Sequence, residues 1–237
     1  SHWMNGSCTQ DYGSVTIMPL CNKLETDPVK RSSSFDHTQE IATPSYYSVD
    51  LNDYGIHAEL TGLSRAGIMQ FSFEQDGDHY IVIEPNSDEG VAFVEVDPEK
   101  KEITGYNPVH RIYQGYGKEA GFSGHFVIQL NEEIADYGVW DSTTITSGRK
   151  SARGQKHAVG AWVKLASDKP GKTLVKVATS FTSIDNARKN LACEIPGWDF
   201  NEVRQASSDT WNQTLGQIAV KGNNEEEKVK LYSALYN

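Results

Sequence analysis

The opening segment Ser1-His2-Trp3-Met4-Asn5-Gly6-Ser7-Cys8-Thr9-Gln10-Asp11-Tyr12-Gly13 packs an indole, an imidazole, small hydroxyls, a carboxylate and glycines directly before a strand. That composition suits a sugar site. An aromatic face stacks on the C–H surface of a pyranose ring, while Asp, Asn and His bond its hydroxyls in pairs. The plainer readings make the segment a cut end, or an edge loop whose Trp3 covers the core.

A second aromatic concentration lies in Gly105 to Gly117, where Tyr106, His110, Tyr113 and Tyr116 alternate with glycines. Tyrosine-rich loops make good carbohydrate contacts, although irregular strand ends that pack their own aromatics are commoner. Trp140, within Tyr137-Gly138-Val139-Trp140-Asp141, is either an exposed platform or a buried plug. The basic run from Arg149 to Lys156 reads first as a solvated loop, and second as a loop that contacts sugar or phosphate. Acidic pairs are plentiful: Asp76/Asp78, Asp88/Glu89, Glu132/Glu133 and Glu225 to Glu227. All sit in turns or at a helix start, where solvation and capping account for them. Glycoside hydrolysis needs two carboxylates facing each other across the scissile bond, and no such pair stands out. The histidines lack H-E-x-x-H or H-x-x-E-H spacing, and the chain has no G-x-S-x-G elbow, phosphate loop or calcium-binding EF-hand loop.

The elements that must position these residues are mostly strands. Alternation marks Ser14 to Leu20, Tyr46 to Leu51, Ile56 to Thr61, Ala66 to Phe73, His79 to Glu84 and Val91 to Val96. Glu102 to Tyr106, Phe122 to Leu130, Ala158 to Leu165 and Thr173 to Phe181 continue the series. Asp76-Gly77 supplies the positive-φ residue of a tight turn. Many strands, short turns and no interleaved helices predict a mainly β chain, an antiparallel two-sheet β-sandwich. Phe71, Phe73, Tyr80, Phe93, Phe126 and Trp162 are assigned to its core. From Ser183 onward the period becomes helical. Ser183 caps a helix from Asp185 to Glu194, Pro196-Gly197 breaks it, and a second runs from Asp199 to Ile218. Asn224 caps a third, whose Val229, Tyr232, Leu235 and Tyr236 form an apolar face in need of a partner. The expected division is a sandwich over residues 1–182 and C-terminal linker α-helices over 183–237. Both raw ends read as cuts from a larger protein.

Bulk properties narrow the function. A net charge of -10 over 237 residues argues against nucleic acid, whose phosphates need compensating cations. No apolar run approaches the ~20 residues of a membrane span. Cys8, Cys21 and Cys193 form neither a disulfide framework nor a zinc site, which needs close pairs; a single Cys8–Cys21 bridge stays open.

Several stretches together resemble glycoside hydrolase family 92. They are Ser180 to Leu191, Glu194 to Phe200, Trp211-Asn212 and Leu231 to Tyr236, which are similar to its domain-joining region. The run His2 to Cys8 with Asp11-Tyr12-Gly13 and Met18-Pro19 is similar to a loop of its amino-terminal sandwich. Pro44 to Val49, Ala58 to Thr61 and Arg65 to Gly67 match that domain too, so the similarity runs nearly end to end in consistent order. The resemblance implies a calcium-dependent, inverting exo-α-mannosidase, α-1,2-mannosidase-like, that pairs the sandwich with an (α/α)6 barrel. It places the catalytic carboxylates and the main calcium ligands in that barrel, beyond Asn237. The sandwich then supplies one wall of the mannose pocket, chiefly through His2, Trp3 and Asp11. Implied partners are mannose-containing glycans and the barrel, with self-association through the exposed helical face. The implied location is periplasmic, secreted or at the cell surface of a bacterium. The opening loop here, Trp-Met-Asn-Gly-Ser-Cys, departs from the Thr-His-Leu-Ser-Gly-Thr-Gly form of many members, which bears on linkage preference. A carbohydrate-binding module and a purely structural scaffold are the competing readings.

Overall fold

In the computed structural model the described residues are 14–85, 90–111, 118–142, 144–155, 158–222 and 224–236. The chain is mainly β. Among these residues fourteen strands form two antiparallel sheets and three helices follow. The smaller sheet has the order β1-β6-β13-β10-β11, built from β1 (Val15–Cys21), β6 (His79–Pro85), β13 (Val159–Leu165), β10 (Ile134–Asp141) and β11 (Thr144–Ser147). The larger sheet runs β12-β7-β8-β9-β14-β5-β4-β3-β2. Its strands are β12 (Ser151–Gly154), β7 (Ala92–Asp97), β8 (Glu102–Arg111), β9 (Lys118–Leu130), β14 (Gly171–Ser180), β5 (Ala66–Phe73), β4 (Ile56–Gly62), β3 (Tyr46–Leu51) and β2 (Ile41–Thr43).

Period-two alternation decides which side chains meet between the sheets. Ala92, Val94 and Val96 of β7, Ile103 of β8, and Phe126 and Ile128 of β9 are all fully buried there, against Ile81 and Ile83 of β6 and Val163 of β13. Phe93 lies on the opposite pleat and is only half-buried, so its assignment to the core is corrected. Tyr80 is corrected likewise: it is partly buried on the outer face of the small sheet, edge-on to Trp162. That outer face carries its own apolar layer of Leu20, Val82, Trp140 and Trp162, with Leu24 and Tyr54 packed on it. Trp140 is 1% exposed, so it is a plug and no platform. Its ring fits because Gly160 on the neighbouring strand has no Cβ; one there would fall on the indole. Gly77 takes φ +141° in the expected turn.

The larger sheet is covered on its outer face by the helices. The α1 helix (Ile184–Glu194) starts at Ser183, whose side chain accepts from the Asn186 N–H, and α2 (Phe200–Leu215) starts at Asp199, which accepts from Asn201 and Glu202. Ala187, Leu191, Ile195, Phe200 and Val203 pack on Tyr46, Ala66, Ile68, Val127 and Ala178. Three polar ties lock this layer. Arg188 grips buried Glu102 through Nε at 3.0 Å and Nη2 at 2.9 Å. Glu194 accepts the backbone N–H groups of Arg65 and Ala66 at 2.8 and 2.9 Å. Lys176, 4% exposed, donates to the carbonyls of Ile195 and Gly197 and lies 4.1 Å from the Trp198 ring centroid. The α3 helix (Glu225–Tyr236) buries no residue; Val229 is 63% exposed.

Candidate loop-end site

Several strand ends meet at one end of the sandwich. At that end β1 begins beside the close of β6, where Val15 pairs with Pro85. The far ends of β8 and β9 meet there through Pro108 opposite Ser123 and Arg111 opposite Lys118. The end of β12 pairs with the start of β7, Gly154 with Ala92. Asp141 opposite Val159 and Ser180 opposite His125 complete the rim. The chain therefore enters β1 and leaves β14 for the helices at the same end.

The candidate contacts His2, Trp3 and Asp11 lie outside the described residues, as do Tyr113 and Tyr116 and the side chain of His110. Their point of attachment is defined. Ser14 is buried and sits on the inner pleat of β9 against Gly124, where a Cβ would strike the Ser14 hydroxyl. Of the tyrosine-rich stretch, Tyr106 is described and partly exposed on the outer pleat.

Tyr106 belongs to a cross-strand row that the sequence hides. The register sets Arg153 opposite Phe93, Phe93 opposite Tyr106, Tyr106 opposite His125, and His125 opposite Ser180. The side chains follow the register. The Arg153 guanidinium lies 4.8 Å from the Phe93 ring centroid and donates to the Tyr106 hydroxyl at 3.0 Å. Phe93 and Tyr106 stack at 5.7 Å, and Tyr106 and His125 stand 5.8 Å apart. Burial pulls the His125 imidazole below its ordinary pKa, and its buried Nδ1 has no hydrogen-bond partner. Beyond this row opens a cavity of about 550 Å³ lined by Tyr106, Pro108, Phe122, Ser123, Val91 and Gln155, with Gly90 and Gly121.

The basic run thus divides. Arg149 pairs with Asp141 at 2.6 Å, Ser151–Gly154 is strand β12 and not loop, and Arg153 and Gln155 flank the aromatic row. Period-two reading of β7 would have placed Phe93 outside; nothing in the sequence alone brings Arg153 to it. Several described members of the acidic pairs form ion pairs in turns or at the start of α3. Asp78 bonds Lys164 and Tyr80 and is held below the usual carboxylate range chiefly by the Lys164 bond. Asp76 pairs with Lys169, Glu133 with Lys101, and Glu225 and Glu226 with Lys228 and Lys230. Asp88 and Glu89 lie outside the described residues. Cys21 is a free thiol, raised in pKa by burial, and Cys193 is free and exposed. Among the described residues no three His, Cys, Asp or Glu side chains converge as a metal site needs.

Comparison with known proteins now gives the site a context. The Glycosyl hydrolase family 92 N-terminal domain model matches residues 1–180, and the Glycosyl hydrolase family 92 catalytic domain model matches residues 186–237. A protein of Arthroderma benhamiae described as an uncharacterized secreted glycosidase is 27% identical over 219 residues, 84% of this chain and 28% of that protein. A GH92 inverting mannosidase of Bacteroides thetaiotaomicron superposes with a TM-score of 0.83 at 26% identity, covering 94% of this chain and 29% of that one. A second GH92 α-mannosidase of the same organism shares the fold, with a TM-score of 0.76 at 24% identity over 89% of this chain and 30% of that one. This chain therefore spans less than a third of the relatives it matches. The match to the amino-terminal family model covers most of the chain, strand by strand to the end of β14, and the chain belongs to glycosyl hydrolase family 92.

Proposed function

We propose that this chain is the amino-terminal portion of an α-mannosidase, α-1,2-mannosidase-like, that cleaves terminal α-mannosides with inversion. On this reading it supplies one wall of the mannose pocket and is inactive alone. The observation that carries the proposal is that the β1 entry and the exit into α1 lie at one end of the sandwich. A wall built there faces polypeptide that continues from the helices, to which the catalytic-domain model already matches. His2, Trp3 and Asp11 bind the sugar: Trp3 stacks on the ring while His2 and Asp11 bond its hydroxyls.

The acid and base that inversion requires are carboxylates on opposite faces of the scissile bond, separated by room for a water. Among the described carboxylates, Glu133, Asp78, Asp76 and Glu102 are engaged with Lys or Arg. The proposal assigns the acid, the base and the calcium ligands to the remainder of the catalytic domain. Calcium there would orient sugar hydroxyls and stabilise charge. The proposed location is outside the cytoplasm, periplasmic or secreted, in line with the relative described as secreted.

The test is Trp3→Ala in a chain extended through the whole catalytic domain, assayed on an α-1,2-linked mannobiose. If Trp3 stacks on substrate, kcat/KM falls about 10- to 100-fold. An unchanged kcat/KM reduces the sandwich to a scaffold.

A further inference from the structure

We propose a second carbohydrate site on the outer face of the larger sheet, which holds a neutral pyranose unit of a longer glycan away from the reacting bond. It lies on the opposite pleat from the opening segment. Ser14 joins β1 on the inner pleat at Gly124, whereas Ser123 and His125, the neighbours of that glycine, face outward. The proposal rests on the reading above only for the ligand's class.

The geometry favours a sugar over other ligands. The cavity of about 550 Å³ falls within the ordinary range for small-ligand sites. Its described lining is aromatic, aliphatic and neutral-polar, the mix that meets both the C–H face and the hydroxyls of a pyranose. Tyr106 and the 39%-exposed Phe122 present aromatic surface to the C–H face of a ring. Gln155 and Ser123 bring an amide and a hydroxyl for its oxygens. Arg153 acts one step back: its bond to the Tyr106 hydroxyl and its seat over Phe93 fix the tyrosine ring before any ligand arrives. Such fixing lowers the entropy cost of binding. Along the same face, the rows toward Val127 and Ala178 are covered by α1, so on these strands the face opens toward the loop end.

The test is a titration of the 237-residue chain with an α-linked mannotriose and with methyl α-mannoside, followed by amide NMR. Saturable shifts at Tyr106, Ser123 and Gln155 are expected, with dissociation constants on the order of millimolar and tighter for the trisaccharide. Tyr106→Ala should weaken binding about 10-fold, the loss of one aromatic contact. Gln155→Ala, a change at an exposed position that leaves the fold intact, should weaken it severalfold. Absence of saturable shifts at these positions, or shifts unchanged in both variants, would overturn the proposal. Shifts confined to residues 1–13 would overturn it while leaving the pocket-wall reading in place. Failure of the extended enzyme to cleave mannosides would remove that reading without touching the titration.

Discussion

Replacing Lys176 by Met tests how the helical layer is fastened to the sheet. Lys176 is a cation with 4% exposure on the covered face of β14, and its ammonium meets two carbonyls and an indole. Two effects oppose each other. Burying an ammonium costs several kcal/mol in effective desolvation. Against this stand a hydrogen bond from the charged ammonium to the carbonyl of Ile195, a residue 1% exposed, worth about 2 kcal/mol, and a cation–π contact of about 1–2 kcal/mol. The Gly197 carbonyl belongs to an exposed residue and can turn to water. Burial wins, for the Lys176 pKa is lowered, with desolvation as its cause. Lys176→Met should therefore lie within about 2 kcal/mol of the parent at pH 7, since the two sides nearly cancel.

The pH dependence separates this account from one in which the lysine is simply stabilising. With a folded pKa below the unfolded value, the unfolded chain holds more protons between the two, so stability rises with pH across that window. For one proton the slope cannot exceed about 1.4 kcal/mol per pH unit. The window lies below the ordinary value of 10.5, and below the folded pKa the desolvation cost is constant. Urea unfolding of parent and variant side by side from pH 7 to 10.5 cancels the other titrating groups, among them Tyr47, which is pushed up to about 12. The parent should gain on the variant as pH rises. A flat difference, or one that moves toward the variant, would refute the reasoning.

Other consequences follow from single contacts. Arg188→Ala removes the half-exposed partner of buried Glu102, which keeps a bond from Gln129, and should cost about 1–2 kcal/mol in chemical denaturation once solvent screening of the arginine is allowed for. Ser183→Ala removes the cap of α1 and should cost about 1 kcal/mol, read from the same curves. Gly160→Ala drives a methyl into the Trp140 ring and the Ile83 carbonyl; overpacking of this kind costs about 1–3 kcal/mol or more, seen as a lowered Tm and altered tryptophan emission. Sedimentation of this chain should reveal self-association that Val229→Asp weakens, because α3 leaves Val229, Leu235 and Tyr236 exposed.

Local pattern carried much of the fold. Wherever a strand has one wet and one dry face, as in Ala66–Phe73, its alternation could be read directly. Edge strands could not: Ile41–Thr43 is exposed throughout, and Ser151–Gly154 buries only Ala152. β10 escaped notice because its buried positions are consecutive, Gly138 to Trp140, and break the alternation. Sheet order is a long-range property, and it also governs the site. Tyr106 was visible as part of a tyrosine-rich stretch, but its neighbours Phe93 and Arg153 come from strands far along the chain, joined only by register. The helical caps at Ser183 and Asn224 were legible because capping is local. The family resemblance reached further than either, since it rests on residue order along the whole chain.

The most direct measurement is the anomer first released from an α-1,2-linked mannobiose, followed by proton NMR with calcium present. A chain extended through the catalytic domain should release β-mannose before mutarotation, and these 237 residues alone should release none. Release of α-mannose, hydrolysis by the short chain, or an extended enzyme inert toward α-mannosides would contradict the account.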